Sequence, residues 1–141
     1  MSENAPIVRF EHISMQFPGV LANDDVTLEI RKGEVFALVG ENGAGKSTLM
    51  NLLYGLQKPT LGRIEIKGKP ISPHHDPTRA MAMGVGMVHQ HFKLVPGFTV
   101  AQNIVLGMEP KKHSLFYDQK RINTEVTELC ERFGLPLNPQ D

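Results

Sequence analysis

The feature that most constrains the fold is an apolar run that ends in a glycine-rich stretch. Residues Val35–Val39 are all apolar, as in a strand covered on both faces within a parallel α/β sheet. The chain continues as Gly40-Glu41-Asn42-Gly43-Ala44-Gly45-Lys46-Ser47. The glycines break the run, and a helix is predicted to begin near Lys46. A strand, a glycine-rich loop and a helix in this order predict a mixed α/β fold.

The glycine-rich stretch has the spacing of a phosphate-binding loop, Gly-x-x-x-x-Gly-Lys-Ser. Glycines let consecutive backbone amides point into one concave space, and the free amides and dipole of the next helix favour an anion there. Lys46 supplies a compact cation for the outer phosphates of a triphosphate, and Ser47 supplies a hydroxyl ligand for Mg²⁺. The predicted phosphate contacts are Gly40, Glu41, Asn42, Gly43, Ala44, Gly45, Lys46, Ser47 and Thr48.

The glycine-rich loop is compatible with two other interpretations, both less favoured. A dinucleotide-binding loop requires Gly-x-Gly-x-x-Gly, whereas Gly43 and Gly45 are followed by Lys46, Ser47 and Thr48. The other alternative is a glycine-rich turn that binds nothing. The apolar strand predicted before the loop and the helix predicted after it favour the phosphate-binding interpretation.

Period-two patterns predict strands elsewhere in the chain. Residues Ile7–Ile13 alternate in a way that suits an edge strand, with Val8, Phe10 and His12 on one face and Ile13 on the other. The other predicted strands are Val26–Ile30, Arg63–Lys67 with a hairpin turn at Gly68, and Val85–Val88.

Helix signals follow the glycine-rich loop and recur later. Leu49, Leu52 and Leu53 predict the inward stripe of the helix near Lys46, and Gly55 predicts its end. A second helix is predicted from Pro77 to Met83, with Asp76 as its cap. A third is predicted to begin at a Thr99–Gln102 capping box and to end at Leu106. The last helix is predicted from Asp118 to Phe133, and its inward stripe consists of Ile122, Val126, Leu129 and Phe133.

Charge and composition narrow the possible partners. The chain has 15 basic and 15 acidic residues, which removes the usual electrostatic argument for a nucleic-acid partner. No run reaches the roughly 18 to 20 apolar residues of a membrane span, and the first residues, Met1–Asn4, do not begin a secretion signal. We therefore expect a cytoplasmic chain that reaches a membrane only by docking.

Cysteine and histidine give no strong indication of a metal site. Cys130 is the only cysteine, so it cannot form an internal disulfide, and a half-buried helix position is expected. His89 and His91 flank Gln90, where a metal pair is the less favoured interpretation. The His74–His75 pair lies in a proline-rich stretch and is expected to be solvated.

Residues Val35–Leu49 resemble the Walker A segment of ABC transporter ATPases. At the places that this family would predict, Phe17 resembles the aromatic that stacks on adenine from the loop after the first strand, and Gln90 resembles the Q-loop glutamine that contacts Mg²⁺ and the attacking water. Gly62–Gly68 resembles the hairpin that follows the Walker A helix. Taken alone, Phe17 would more often be a core or surface aromatic and Gln90 a solvated side chain. The resemblance spans about residues 7–137 and implies a P-loop NTPase core with an antiparallel β front subdomain.

Two further segments narrow the resemblance. Met87–Val95 and Phe98–Gly107 resemble importers of simple sugars and nucleosides. The sequence His-Gln-His-Phe at residues 89–92 is more like the nucleoside-type members that work with lipoprotein binding proteins, whereas the sugar-type members more often carry His-Gln-Glu-Leu. The class of transported solute rests on this resemblance alone.

The resemblance implies a function and a set of partners. It implies that Mg-ATP binds between two ATP-binding domains, with Lys46 and Gln90 as catalytic residues and Ser47 and Gln90 as Mg²⁺ ligands. Membrane permease subunits would dock on about Phe92–Asn103, a substrate-binding lipoprotein would act indirectly, and no nucleic acid is involved. Hydrolysis of ATP would then drive solute uptake at the cytoplasmic face of the membrane, where the protein would be peripheral.

Some family segments do not occur in residues 1–141: the Leu-Ser-Gly-Gly-Gln signature, an apolar strand that ends in Asp-Glu, and the later switch histidine. The resemblance therefore implies that residues 1–141 are the N-terminal, incomplete part of one ABC ATP-binding domain, truncated before the signature and Walker B segments. Hydrolysis needs a positioned water, a base and charge stabilisation from a second subunit. We expect the chain alone to bind nucleotide without useful turnover.

Three alternatives stay open or are disfavoured. A non-transport ABC ATPase would tend to carry an insertion around the Q-loop, against which the importer-like stretch after Gln90 argues. A nucleotide-binding fragment without catalytic activity is compatible with the missing segments. A GTPase would need an Asn-Lys-x-Asp guanine reader and a small nucleotide kinase would need a lid, and the sequence contains no Asn-Lys-x-Asp.

Overall fold

A computed structural model describes residues 5–90, 94–108, 111–112 and 116–141. The chain divides into two compact units, Met1–Val88 and His89–Asp141, and each is described by itself. The assignment of both to a single ATP-binding domain stays a prediction. In the described residues, no helix is both long and apolar enough to cross a membrane.

The first unit is built on a four-stranded antiparallel sheet. Its strands are β1 (Pro6–Phe17), β2 (Val20–Arg31), β3 (Leu61–Ile66) and β4 (Lys69–Pro70), in the order β2-β1-β3-β4. The period-two strands around Val26–Ile30 and Arg63–Lys67 are confirmed, as is the turn at Gly68. The prediction that Ile7–Ile13 forms an edge strand is wrong, because β1 pairs with β2 on one side and β3 on the other. Any strand with one buried face and one solvent-exposed face shows this alternation, so the pattern does not distinguish a central strand from an edge strand.

A bulge in β1 changes which residues face the core. The register with β2 shifts between Phe10 and Ile13, and His12 has a positive φ of 51°. Val8 and Phe10 are buried before the bulge, and Ile13 is buried after it, while His12 is exposed. The prediction that His12 shares the face of Val8 and Phe10 is therefore wrong, because the extra residue reverses the alternation.

Two helices complete the first unit. Helix α1 (Lys46–Tyr54) lays its predicted leucine stripe on the sheet and ends at Gly55, which has the left-handed conformation of a C-cap. Helix α2 (Pro77–Ala82) begins behind Asp76, whose side chain accepts a hydrogen bond from the Arg79 amide. The buried core of the unit consists of Val8, Phe10, Ile13, Met15, Leu49, Leu52 and Ile64. Both predicted helix starts are confirmed.

His75 corrects the expectation that both adjacent histidines are solvated. His74 is exposed, but His75 is buried and its Nε2 lies 2.9 Å from the carbonyl oxygen of Leu53 near the end of α1. A carbonyl near a helix C-terminus is a ready acceptor, since the last turn leaves its carbonyls without intrahelical partners. His75 therefore fastens the loop before α2 to the end of α1.

The predicted strands at residues 35–39 and 85–88 do not form. Both segments lack strand pairing in the structure, and Val35, Val39 and Val88 are 98%, 88% and 86% exposed. Only Leu38 of the first segment packs partly against the core. A parallel strand is defined by hydrogen bonds to its neighbours, and the described residues provide no neighbouring strand for either segment.

The second unit is helical, with one short hairpin. It contains α3 (Val100–Val105), β5 (Lys111–Lys112), β6 (Phe116–Tyr117) and α4 (Gln119–Phe133). The capping box predicted at the start of α3 is confirmed in both of its hydrogen bonds, between Thr99 and Gln102. The next two amides of α3, those of Val100 and Ala101, donate to the carbonyls of Asp141 and Pro139. These bonds fasten the last residues of the chain to α3.

Helix α4 buries a different stripe from the predicted one. Ile122 and Val126 are buried as expected, but Leu129 and Phe133 are exposed and Cys130 is buried in their place. The stripe thus continues by four residues from Val126 to Cys130, which keeps it on the face that packs on Ala101. Cys130 is more deeply buried than the half-buried position expected of it.

Candidate phosphate-binding site

The glycine-rich loop lies between residues 34–40, which form neither helix nor strand, and helix α1. Gly43 and Gly45 have positive φ angles of 87° and 77°, a conformation that glycine adopts without strain. A Cβ atom at Gly45 would lie 2.2 Å from the carbonyl oxygen of Ala22. The backbone of β2 therefore presses directly against the last glycine of the loop, and no larger residue fits there.

The Lys46 side chain folds back over the loop. Its Nζ donates hydrogen bonds of 2.7 Å to the carbonyl oxygen of Gly40 and 2.6 Å to that of Glu41. An ammonium group has three donors, so these bonds fix the position of the charge and leave a third donor for an anionic oxygen. The Lys46 ammonium therefore links the start of helix α1 to the first two residues of the loop, Gly40 and Glu41.

The amino end of α1 offers backbone donors. The N-cap residue is Gly45, so no side chain caps the helix, and the first intrahelical bond runs from the Leu49 amide to the Gly45 carbonyl over 3.0 Å. The amides of Lys46, Ser47 and Thr48 precede that bond and have no partner within the helix. Together with the helix dipole they favour a negative charge at this end.

Ser47 stands in the first turn of α1 with an exposed side chain. Among the described residues its hydroxyl has no hydrogen-bond partner, so it can serve as an oxygen ligand for a hard cation. The described residues contain no group of three or more His, Cys, Asp or Glu side chains that could hold a metal ion. The Ala44 amide, in contrast, already donates to the Glu41 carbonyl within the loop.

Asn23 is a loop contact that the sequence pattern did not reveal. Its Nδ2 donates to the Gly45 carbonyl oxygen over 3.3 Å, the residue is 5% exposed, and its Oδ1 is buried without a partner among the described residues. The alternation of Val26–Ile30 would place residue 23 on the outer face of β2. The register sets Ile13 opposite Val26 and Met15 opposite Asn23, so one extra residue of β2 turns Asn23 inward.

Phe17 is the last residue of β1 and pairs with Val20 in β2. The prediction that it lies in a loop is therefore wrong, since the strand extends to include it. Its side chain is half-buried and packs against the core of the first unit. The contact of Phe17 with an adenine ring stays a prediction.

Gln90 belongs to the second unit, whereas the loop belongs to the first. Its side chain is exposed in a bend, and its role toward Mg²⁺ and water stays a prediction. The next residues, His91 and Phe92, lie outside the described residues, so neither the interpretation of His89 and His91 as a metal pair nor the first part of the predicted permease surface is described.

The side chain of Asn103 holds residues 95–99 through hydrogen bonds to their backbone. Nδ2 of Asn103 donates to the carbonyls of Phe98 and Thr99 over 3.2 Å, and its Oδ1 accepts a 2.8 Å bond from the Val95 amide. Leu94 and Phe98 are nevertheless 72% and 45% exposed. Residues 94–99 therefore combine a hydrogen-bonded backbone with two exposed apolar side chains, Leu94 and Phe98.

Residues 23–140 match the protein-family model described as ABC transporter. The guanosine import ATP-binding protein NupO of Bacillus subtilis is 48% identical over 134 residues, which are 95% of this chain and 26% of that protein. The nucleoside import ATP-binding protein NupA of Lactococcus lactis is 46% identical over 136 residues, again with 26% of that protein covered. The chain thus spans about a quarter of the length of the curated relatives it matches.

Solved structures show the same fold. A nucleotide-free ATP-binding cassette from an ABC transporter has a TM-score of 0.78 at 26% identity, covering 96% of this chain and 57% of that one. CbiO1 of Clostridium perfringens, part of the ABC transporter complex cbiONQ, has a TM-score of 0.65 at 26% identity, covering 96% of this chain and 53% of that one. The predicted α/β fold with an antiparallel β front is therefore confirmed.

Proposed function

This chain belongs to the ABC transporter family, and from that premise we propose that it binds the triphosphate of ATP through the loop Gly40–Gly45 and the amino end of α1. The observation that carries the proposal is the position of Lys46, whose ammonium is held by two loop carbonyls beside a helix end without a side-chain cap. A fixed cation and a set of backbone donors at one point match the charge and the oxygens of a phosphate.

The residues of the loop have different roles in this proposal. Gly43 and Gly45 allow the backbone to approach the phosphates, while the amides at the start of α1 donate to phosphate oxygens. Lys46 contacts the outer phosphates with its third donor. Ser47 contributes its hydroxyl to Mg²⁺, which neutralises phosphate charge when bound. Glu41, Asn42, Ala44 and Thr48 complete the predicted set of contacts.

Phe17 and Gln90 are proposed for the remaining parts of the nucleotide. Phe17 ends β1 with a half-buried ring, and an aromatic face of this kind can stack on adenine. Gln90 is exposed at the start of the second unit and would orient the attacking water. Both roles are supported by their correspondence to family positions and by side chains that are at least partly accessible.

For the protein as a whole we propose ATP hydrolysis that drives import of a nucleoside or a simple sugar across the membrane. The names of NupO and NupA, which describe import of guanosine and of nucleosides, support this proposal. Permease subunits would dock on about residues 92–103, where Leu94 and Phe98 expose apolar surface. A second ATP-binding domain would complete the site, a lipoprotein would deliver the solute, and the assembly would place the chain at the cytoplasmic face of the membrane.

Binding of a fluorescent ATP analogue to the purified chain in the presence of Mg²⁺ tests the proposal. We expect binding that unlabelled ATP competes away and that Lys46→Ala lowers at least tenfold, which corresponds to about 1.4 kcal/mol. Lys32→Ala removes an exposed lysine from the turn after β2 and serves as the matched control for charge. Equal binding by the Lys46→Ala and Lys32→Ala variants, or no binding by a folded chain, would contradict the proposal.

A further inference from the structure

We propose that Asn23 is a positioning residue for the phosphate loop: it holds the Gly45 carbonyl and thereby sets the direction of the Lys46 backbone amide. The inference rests on the proposed nucleotide binding. It extends the site to β2, a strand that carries none of the motif residues.

Asn23 is hydrogen-bonded directly to the loop. Its Nδ2 lies 3.3 Å from the Gly45 carbonyl oxygen, and the whole residue is buried. The reverse orientation of the amide would set Oδ1 against that oxygen, so the nitrogen faces Gly45. The same carbonyl accepts the first helical bond of α1 from the Leu49 amide, so both of its lone pairs are used.

The peptide group that joins Gly45 to Lys46 is planar. The carbonyl of Gly45 and the N–H of Lys46 belong to one trans peptide, in which they point in opposite directions. A donor that holds the carbonyl toward β2 and the helix therefore holds the Lys46 N–H away from the helix, toward the region where the loop offers its donors. The Asn23 bond also polarises this peptide, which strengthens the N–H as a donor.

The backbone at Gly45 packs closely against β2. A Cβ at Gly45 would lie 2.5 Å from Nδ2 of Asn23 and 2.2 Å from the Ala22 carbonyl oxygen. Gly45 thus lies directly against β2, and its positive φ of 77° is compatible with that close approach. The bulge that turns Asn23 inward brings the donor to the one peptide that joins loop and helix.

The Asn23 side chain also carries a buried oxygen, Oδ1. Within the described residues this buried oxygen has no partner, which lowers the stability of the fold. A leucine at this position would fill similar space without that cost. An amide here is explained by the need for a donor to Gly45, as expected at a functional site that departs from the usual packing rules.

The test compares the parent chain with Asn23→Leu and with a control, Thr27→Ala. Thr27 is also on β2, and its Oγ1 accepts a bond from the His12 amide, away from the loop. For each protein we would measure affinity for the fluorescent ATP analogue with Mg²⁺, the urea midpoint of unfolding and the ¹⁵N–¹H signal of the Lys46 amide.

We expect Asn23→Leu to weaken nucleotide binding about five- to tenfold, the usual worth of one neutral hydrogen bond. Its unfolding midpoint should be equal to or higher than that of the parent, and its Lys46 amide signal should move without nucleotide. Thr27→Ala should leave affinity and the Lys46 signal unchanged. A purely structural role for Asn23 predicts the opposite pattern, in which affinity falls only as far as stability falls, and that result would overturn the inference.

A second variant keeps the test informative should Asn23→Leu not fold. Asn23→Asp keeps the size of the side chain but replaces the donor with a carboxylate oxygen, so it should weaken binding at least as much. Binding within twofold of the parent by either folded variant, with the Lys46 signal unmoved, overturns the inference alone. Absence of binding by the parent overturns the proposed function, and the Lys46 signal then still reports whether Asn23 orients the peptide.

Discussion

His12 and Asp25 face each other across β1 and β2, both with positive φ, and Nδ1 of His12 lies 2.7 Å from Oδ1 of Asp25. They mark the place where both strands of the pair bulge. On the other side of β1, a Cβ at Gly62 in β3 would lie 2.3 Å from the His12 carbonyl oxygen. Three strands thus deviate from regular pairing at one level of the sheet, and the glycine makes this possible.

We expect Gly62→Ala to destabilise the first unit strongly. Its positive φ of 88° and the close His12 carbonyl both oppose a side chain, with an expected loss of about 3 kcal/mol in the free energy of unfolding. Gly68→Ala is the matched control, since Gly68 also has a positive φ but open space around it, and about 1 kcal/mol is expected. Urea unfolding of both variants measures the difference, and equal losses would show that the contact with His12 is unimportant.

Alanine substitutions in the loop should differ in a defined order. The side chain of Gly45→Ala would clash with the β2 backbone. We expect this variant to lose nucleotide binding and at least about 2 kcal/mol in the free energy of unfolding. Gly43→Ala meets only the strain of a positive φ, about 1 to 2 kcal/mol. Gly40→Ala meets the Ala44 side chain at an ordinary 3.5 Å and should leave folding unchanged. Thermal unfolding and nucleotide titration of the three variants test this order, and a Gly40 variant less stable than the Gly45 variant would contradict it.

The capping box of α3 should stabilise the second unit measurably. Thr99→Ala removes the acceptor for the Gln102 amide and is expected to cost about 1 kcal/mol. Thr124→Ala is the matched control, because Thr124 lies inside α4 and its hydroxyl bonds only the Lys120 carbonyl; alanine there should be neutral or slightly stabilising. Hydrogen exchange of the α3 amides measures the effect and should be faster in Thr99→Ala than in Thr124→Ala. Similar exchange rates in the two variants would contradict the prediction.

The chain alone should bind ATP without turning it over. Hydrolysis requires a base and charge stabilisation in addition to the phosphate grip, and the Leu-Ser-Gly-Gly-Gln and Asp-Glu segments that supply them in the resembled family do not occur in residues 1–141. Release of inorganic phosphate from the purified chain should equal that of the Lys46→Ala variant. Release above that background would contradict the prediction.

Local signals predicted their elements well where the cause was local. Helix caps depend on residues within one turn of the helix, so the sequence determines them directly. Examples are the Asp76 cap, the Thr99–Gln102 capping box and the helix end at Gly55. Cys130 replaced Leu129 on the buried face of α4 because the choice between adjacent positions depends on the packing partner, Ala101.

Features that depend on distant pairing were predicted less well. The run 35–39 has the composition of a buried strand, but Val35 and Val39 are exposed and only Leu38 packs partly against the core, because strand formation needs partners that the described residues do not supply. Asn23 was missed because a single extra residue in β2 reverses the inward and outward positions. The spacing of Gly40–Ser47 alone predicts a phosphate loop, whereas the contact of Gly45 with β2 is visible only in three dimensions.

Exposure of Val35 and Val39 has a consequence for how the loop responds to its surroundings. Val39 is bonded directly to Gly40, whose carbonyl holds the Lys46 ammonium. Any strand that pairs with residues 35–39 would therefore restrain the first residue of the loop. If this pairing raises the affinity for nucleotide, thermodynamic linkage requires that nucleotide binding strengthen the pairing by the same factor. We expect pairing and nucleotide binding to be cooperative, which slower hydrogen exchange of the 35–39 amides in a nucleotide-bound assembly would reveal. Residues 35–39 would then influence nucleotide affinity in addition to their part in the fold.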